Sequence, residues 1–252
     1  MGFTAKEITE TLVAQRNEEQ SRLLMRFFKT GRGEYGEGDR FLGLKVPQTR
    51  LVVKEARGEV SLAEIARLLH SPWHEVRLCG FLLLVEEMKL ALPRRREQPE
   101  QRAARRQEIV EFYLAHARQA NNWDLVDLSC EYILGEFLLH PGEDGELPSS
   151  DVLYRLSESE NLWERRISIV STLQLVRARR FDEALQLAEL LLTDAHDLIH
   201  KAVGWVLREV GKRDMDLLRD FLDRHVNEMP RTSLRYAIER MSQEERGYWL
   251  KR

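Results

Sequence analysis

The chain is poor in cysteine: 252 residues contain only Cys79 and Cys130, each inside an apolar stretch of helical character. Two separated thiols make neither a disulfide framework nor a zinc cluster, and a reducing cytoplasm is the expected setting. Met1 to Lys6 has no basic start followed by an apolar core, and no run of about 18 apolar residues occurs. No leader and no membrane span are therefore expected, and the chain is read as soluble and cytoplasmic. Proline (7) and glycine (14) are scarce, and few segments alternate apolar with polar residues. That excludes a sheet-rich architecture and, with abundant Leu, Glu, Arg and Ala, favours helix throughout. Net charge decides little: 39 basic against 42 acidic residues give -3, which is compatible with one basic face balanced by an acidic back.

Three polar stretches interrupt the helical pattern and read as loops: Gly31 to Arg40, Pro93 to Arg102 and Pro141 to Ser150. Between them, Leu62, Ile65, Ala66, Leu68 and Leu69, or Leu185, Leu187, Ala188, Leu191 and Leu192, recur at helical spacing. The segments beginning His74-Glu-Val-Arg, Asp124-Leu-Val-Asp, Trp163-Glu-Arg-Arg and Leu198-Ile-His-Lys align without gaps, and Ser233-Leu-Arg is a shorter fifth copy. Such self-similarity predicts stacked helical pairs: an all-α HEAT-like solenoid, one domain over residues 1–252. The shared polar column reads Arg77, Asp127, Arg166, Lys201, Arg235. In a solenoid it lines a concave groove, basic at four positions and extended by Arg208, with Arg67, Lys89, Arg231 and the Arg94 to Arg96 triplet as further contributors. A concave basic stripe suits a polyanion, since each Lys or Arg on a phosphate releases counterions. The other role open to each arginine is to pair with a neighbouring repeat's carboxylate.

Asp127 is the acidic exception in that column. A carboxylate facing phosphates needs either a structural partner or a chemical purpose, and near a helix start the dipole alone would stabilise it. Trp123 precedes it by four residues, on the same helical face if the helix begins at or before Asn122. Trp205 follows Lys201 by four, and indole planes suit cations and sugar faces, although core packing would equally explain either tryptophan.

Taken together, Phe41-Leu-Gly-Leu-Lys-Val-Pro47, Trp123-Asp-Leu-Val-Asp127, Asn161-Leu-Trp-Glu-Arg-Arg166, Lys201-Ala-Val-Gly-Trp-Val-Leu-Arg-Glu209 and Pro230-Arg-Thr-Ser-Leu-Arg-Tyr-Ala-Ile238 resemble the AlkD-type DNA alkylation repair glycosylases, over nearly the whole chain. The resemblance implies excision of cationic alkylpurines, chiefly 3-methyladenine and 7-methylguanine, from duplex DNA. It places the family's functional residues on Trp123, Asp127, Arg166 and Trp205, and it implies that the base is not rotated out of the duplex. Where many members read Trp-Trp-Asp, this chain has Asn122-Trp123-Asp124. The residue types suit the reaction. A cationic purine leaves neutral without a general acid, and a carboxylate about 4 Å from the developing sugar cation gains roughly 4 kcal/mol at an effective dielectric near 20. That corresponds to about a thousandfold in rate if confined to the transition state. Asp127 would also orient water, Trp123 and Trp205 would lie against the sugar, and Arg166 would hold a phosphate, with Lys201, Arg77, Arg208 and Arg235 along the backbone.

The expected partner is duplex DNA with alkylated bases, bound by a monomer with no cofactor, metal or obligate protein partner. Gly31-Arg-Gly33-Glu-Tyr-Gly36 matches a dinucleotide fingerprint in letters but follows no strand. His196 and His200 lack a third metal ligand and read as capping and surface residues. The rival readings are a non-catalytic binder of damaged or branched DNA, and a protein scaffold with no affinity for DNA.

Overall fold

The structure is a computed structural model that describes residues 2–94, 97 and 100–252. It is all-α. Fourteen α-helices run in order among the described residues: α1 (Ala5–Val13), α2 (Glu18–Phe27), α3 (Val46–Ala56), α4 (Leu62–Leu69), α5 (His74–Ala91), α6 (Ala103–Ala115), α7 (Trp123–Asp127), α8 (Asp151–Ser157), α9 (Leu162–Arg177), α10 (Asp182–Leu190), α11 (Asp197–Gly211), α12 (Met215–His225), α13 (Arg231–Ala237) and α14 (Gln243–Lys251). The only β pairing among the described residues is an isolated bridge between Arg40 and Trp73. None of these helices is long and apolar enough to cross a membrane. Arg95 and Arg96 of the basic triplet lie outside the described residues.

The chain packs as two compact units, one running to Ile133 with Gly142–Gly145, the other comprising Leu134–Pro141 and Glu146–Arg252. In the first, α4 and α5 form an antiparallel pair, with α1 and α3 also against α5. Helix α5 is apolar on nearly every side and buried along most of its length, as a central helix must be. Start signals are local: Thr4 and Glu7 form a capping box on α1, and the Ser61 hydroxyl accepts from Glu64 N on α4. Helix α2 contrasts with these. Ser21 is its only buried residue, while Leu23 and Phe27 are 51% and 62% exposed.

In the second unit α8 pairs with α9, α10 with α11, and α11 lies between α9 and α13. The side-by-side packing of α9, α11 and α13 is what the repeat alignment requires: Arg166, Lys201 and Arg235 are each the fifth residue of their helix. Gly204 allows α11 to approach α13, because a Cβ there would stand 2.5 Å from Ser233 O. The Ser233 hydroxyl donates to His200 O across the same contact. A glycine within Lys201–Glu209 is thus a packing requirement between repeats.

One copy departs from the pattern. Helix α7 is five residues long, ends at Asp127, and gives way after a turn to a π-helical stretch, Glu131–Gly135. Asp127 therefore stands at a helix C-terminus, where the dipole disfavours an anion, and not on the first turn of a long helix as the alignment suggests. The stabilisation expected there from a helix start is absent.

Candidate functional site

The first unit holds a cleft of 420 Å³ lined mainly by apolar side chains, among them Leu24, Phe27, Phe28, Leu44, Pro47 and Trp123, with Asp127 and Lys45 also on its walls. Trp123 and Asp127, the first and last residues of α7, thus share one cleft, as their spacing of four predicts. Each is half-buried.

What fixes Trp123 is an aromatic stack. Its indole lies on Phe28 (centroids 5.2 Å, planes 25°), Phe28 lies on Phe41 (5.0 Å, 16°), and Phe41 on His74 (4.3 Å, 21°). Phe27 meets Trp123 edge to face at 5.9 Å. The start of α7 is tied to the end of α2 by Asn122, fully buried, whose Oδ1 accepts from Trp123 N and whose Nδ2 donates to Phe28 O. Asn122 is thus the cap of α7, a role its residue type suits.

Beneath the stack lies a buried charge network. His74 is held between Asp39 (Nδ1 to Oδ2, 2.9 Å) and Asp124 (Nε2 to Oδ2, 2.8 Å), and Arg77 Nη2 donates to Asp39 Oδ1 at 2.6 Å. Burial alone would lower the His74 pKa, but the charges and hydrogen bonds of Asp124 and Asp39 outweigh it and raise it to about 9. His74 is an imidazolium at neutral pH. Burial pushes the Asp39 carboxyl up, and His74 and Arg77 more than reverse this, holding it below its ordinary value. Glu75, next in sequence, accepts from the backbone N–H groups of Leu42, Gly43 and Leu44. This sets the Phe41–Pro47 segment against the cleft. Gly43 in that segment has φ +92°, and a Cβ would stand 2.1 Å from Asn17 O, so only glycine fits.

The basic column divides. Arg77 is 5% exposed, and besides Asp39 it donates to Ser71 O and Asn121 Oδ1; its guanidinium serves the interior, the alternative role open to it from sequence. Arg166 is equally buried and donates to Leu198 O at 2.6 Å, bridging α9 to α11. Lys201 is partly exposed and pairs with Asp197 at 2.7 Å on its own helix. Arg208 pairs with Glu239, and Arg235 is exposed on α13. Trp205 is half-buried on α11. A second cleft in the first unit, 220 Å³ in volume, collects Arg50, Lys54, Arg57 and Lys89, with Glu86 as its one carboxylate, and shares Leu128 with the Asp127 cleft. Among the rejected motifs, His196 Nδ1 accepts from Leu198 N as the α11 cap, and no cluster of three or more potential metal ligands occurs among the described residues.

Residues 8–241, spanning both units, match the sequence pattern of the family described as DNA alkylation repair enzyme. The chain belongs to that family. It is also similar in structure to a predicted DNA alkylation repair enzyme from Enterococcus faecalis, at 18% identity and a TM-score of 0.63, covering 91% of this chain and 98% of the other. At that identity the likeness supports the fold. No curated protein matches. Several residues of the Trp123 and Asp127 cleft were not singled out by sequence reasoning, namely Phe27, Phe28, Lys45, His74 and Asp124 on its walls, and neither was Asp39, which holds His74 from behind. Two left a trace there. His74 and Asp124 open aligned repeat segments, and a histidine and an aspartate at equivalent starts of successive repeats can meet across the repeat boundary.

Proposed function

We propose that the chain is an AlkD-type, monofunctional DNA glycosylase excising cationic N-alkylpurines, 3-methyladenine and 7-methylguanine, from duplex DNA. The observation that carries this reading is the shared cleft: a carboxylate and an indole on one short helix, the indole stacked on Phe28 and met edge to face by Phe27. The C1′–N bond breaks with its electron pair passing to the purine, which leaves neutral because alkylation had already made it cationic. Positive charge then develops on the deoxyribose. Asp127 faces that charge and accepts the proton of the water whose oxygen bonds to C1′. Trp123 lies against the sugar, where an indole face favours cationic character.

Trp205 and Arg166 enter by resemblance, for the sugar and a phosphate respectively. Lys201, Arg208 and Arg235 are proposed to hold the DNA backbone; their pairs with Asp197 and Glu239 are surface ion pairs worth about 0–1 kcal/mol, which a phosphate readily replaces. Arg50, Lys54, Arg57 and Lys89 join this set, while Arg77 leaves it for the interior. That both units act as one DNA-binding domain belongs to the same proposal, as do a monomeric state and the lack of any cofactor. A base-release assay on methylated duplex DNA tests the reading. Binding without release would favour the non-catalytic binder, and no salt-dependent affinity for DNA would favour the scaffold.

A further inference from the structure

Beside the reaction cleft, the first unit gathers positive charge in one small hollow. Arg50, Lys54 and Arg57 share one face of α3, each about one helical turn from the next, and Lys89 joins them from the last turn of α5. Their cleft has a volume of 220 Å³, is lined otherwise by apolar side chains such as Leu82 and Val85 and by Tyr132, and contains Glu86 as its one carboxylate. Glu86 is taken by Lys89, at 2.7 Å. Arg50, Lys54 and Arg57 are exposed and make no ion pair with a described residue, whereas Lys201 and Arg208 each have a carboxylate partner. Like charges one turn apart repel, so the α3 row works against its own helix and finds no compensation there. An anion from outside supplies it.

Size and charge define that anion. Sites for whole small molecules run to about 300–1,000 Å³; at 220 Å³ this cleft has room for a phosphoryl group but not for a nucleoside as well. Four cations against one carboxylate leave a surplus of three positive charges. A backbone phosphodiester brings a single negative charge. A phosphate monoester brings about 1.5–2 at neutral pH, with three acceptor oxygens suited to the guanidinium forks of Arg50 and Arg57. A continuous strand spreads its charges along a groove, but these four cations converge on one point.

We propose that the cleft between α3 and α5 is a site for a phosphate monoester. Two sources offer that group, the 5′-phosphate at a break in a DNA strand and a free phosphate ion. The first deepens the backbone role proposed for these four cations and rests on that reading. The cleft shares Leu128 with the Asp127 cleft, so a strand end held here lies beside the reaction centre.

The probes are unmethylated duplexes with a one-nucleotide gap, the downstream strand beginning with either a 5′-phosphate or a 5′-hydroxyl, and sodium phosphate alone against sodium chloride at equal ionic strength. Fluorescence anisotropy follows the DNA and calorimetry the free ion, with the intact chain and with the Arg50→Ala, Lys54→Ala double variant. Both side chains are exposed and unpaired with described residues, so the fold is retained. The 5′-phosphate duplex is expected to bind about tenfold tighter than the 5′-hydroxyl one, and the double variant to lose that preference. Lys201→Ala, in the other unit, should weaken both duplexes and keep their ratio. Saturable binding of free phosphate that the double variant abolishes, without a strand-end preference, supports the site and assigns it to the free ion. Equal affinity for the two duplexes with no binding of phosphate overturns the inference, as does a preference that survives in the double variant. Release of 7-methylguanine from methylated duplex DNA is measured in parallel: if it persists when the preference is absent, the glycosylase reading stands and the monoester site alone falls.

Discussion

His74 Nε2 lies 2.8 Å from Asp124 Oδ2 on the fully buried side of α7, so the helix that carries Trp123 and Asp127 is anchored by an ion pair. Asp124 and Asp127 are three residues apart and have opposite tasks. Asp124→Asn removes the charge facing a buried imidazolium and is expected to cost about 3–5 kcal/mol of stability, the range for breaking a buried pair. Asp127→Asn changes a half-buried side chain and is expected to stay within about 1 kcal/mol of the parent. Urea denaturation of the two variants checks the contrast.

The same network makes stability depend on pH in a definite direction. The His74 pKa rises from 6.5 to about 9 on folding. Its contribution is fully present below 6.5, declines above that, and is gone once the pH passes about 9; its size is on the order of 3 kcal/mol. Asp39, held low, works in the other sense: its contribution is present above 3.8 and is lost as the pH falls through its folded value. The melting temperature should therefore fall between neutral pH and about pH 9, and His74→Gln should flatten that decline.

Phe27 and Phe28 are adjacent and differ in burial, 62% against 7% exposed. Phe28→Ala opens the stack between Trp123 and Phe41, and the expected cost is about 3–5 kcal/mol. Phe27→Ala should cost less than about 1 kcal/mol. Equal losses would mean that α2 packs more tightly than its exposure indicates.

The cations proposed to hold DNA separate from those that hold the protein. Lys201→Ala and Arg235→Ala should each lower the slope of log affinity against log salt by about 0.9. Arg77→Ala should leave the slope unchanged and destabilise the first unit, because it strips Asp39 of a buried partner. Fluorescence titrations with duplex DNA over a range of salt concentrations measure both.

Much of the architecture was legible in the sequence because helical period and repeat register are local signals: Arg166, Lys201 and Arg235 do occupy one position on three packed helices. The pairing of Trp123 with Asp127 was legible for the same reason, as a spacing of four. The short α7 was not, since the turn and π-helical stretch after Asp127 depend on packing rather than on a proline or glycine within α7 itself. Burial of Arg77 was equally hidden. Its partner Asp39 lies 38 residues earlier, in a stretch that reads as a polar loop, and nothing local distinguishes that aspartate from its neighbours. Phe27 and Lys45 reach the cleft from α2 and from the segment before α3, a juxtaposition set by tertiary packing alone.

The most direct test of the account is release of 7-methylguanine from methylated duplex DNA by the intact chain and by Asp127→Asn, with DNA affinity measured on both. The account predicts release by the parent and a loss of about a thousandfold in the variant, with affinity retained. Undiminished release by Asp127→Asn would contradict it.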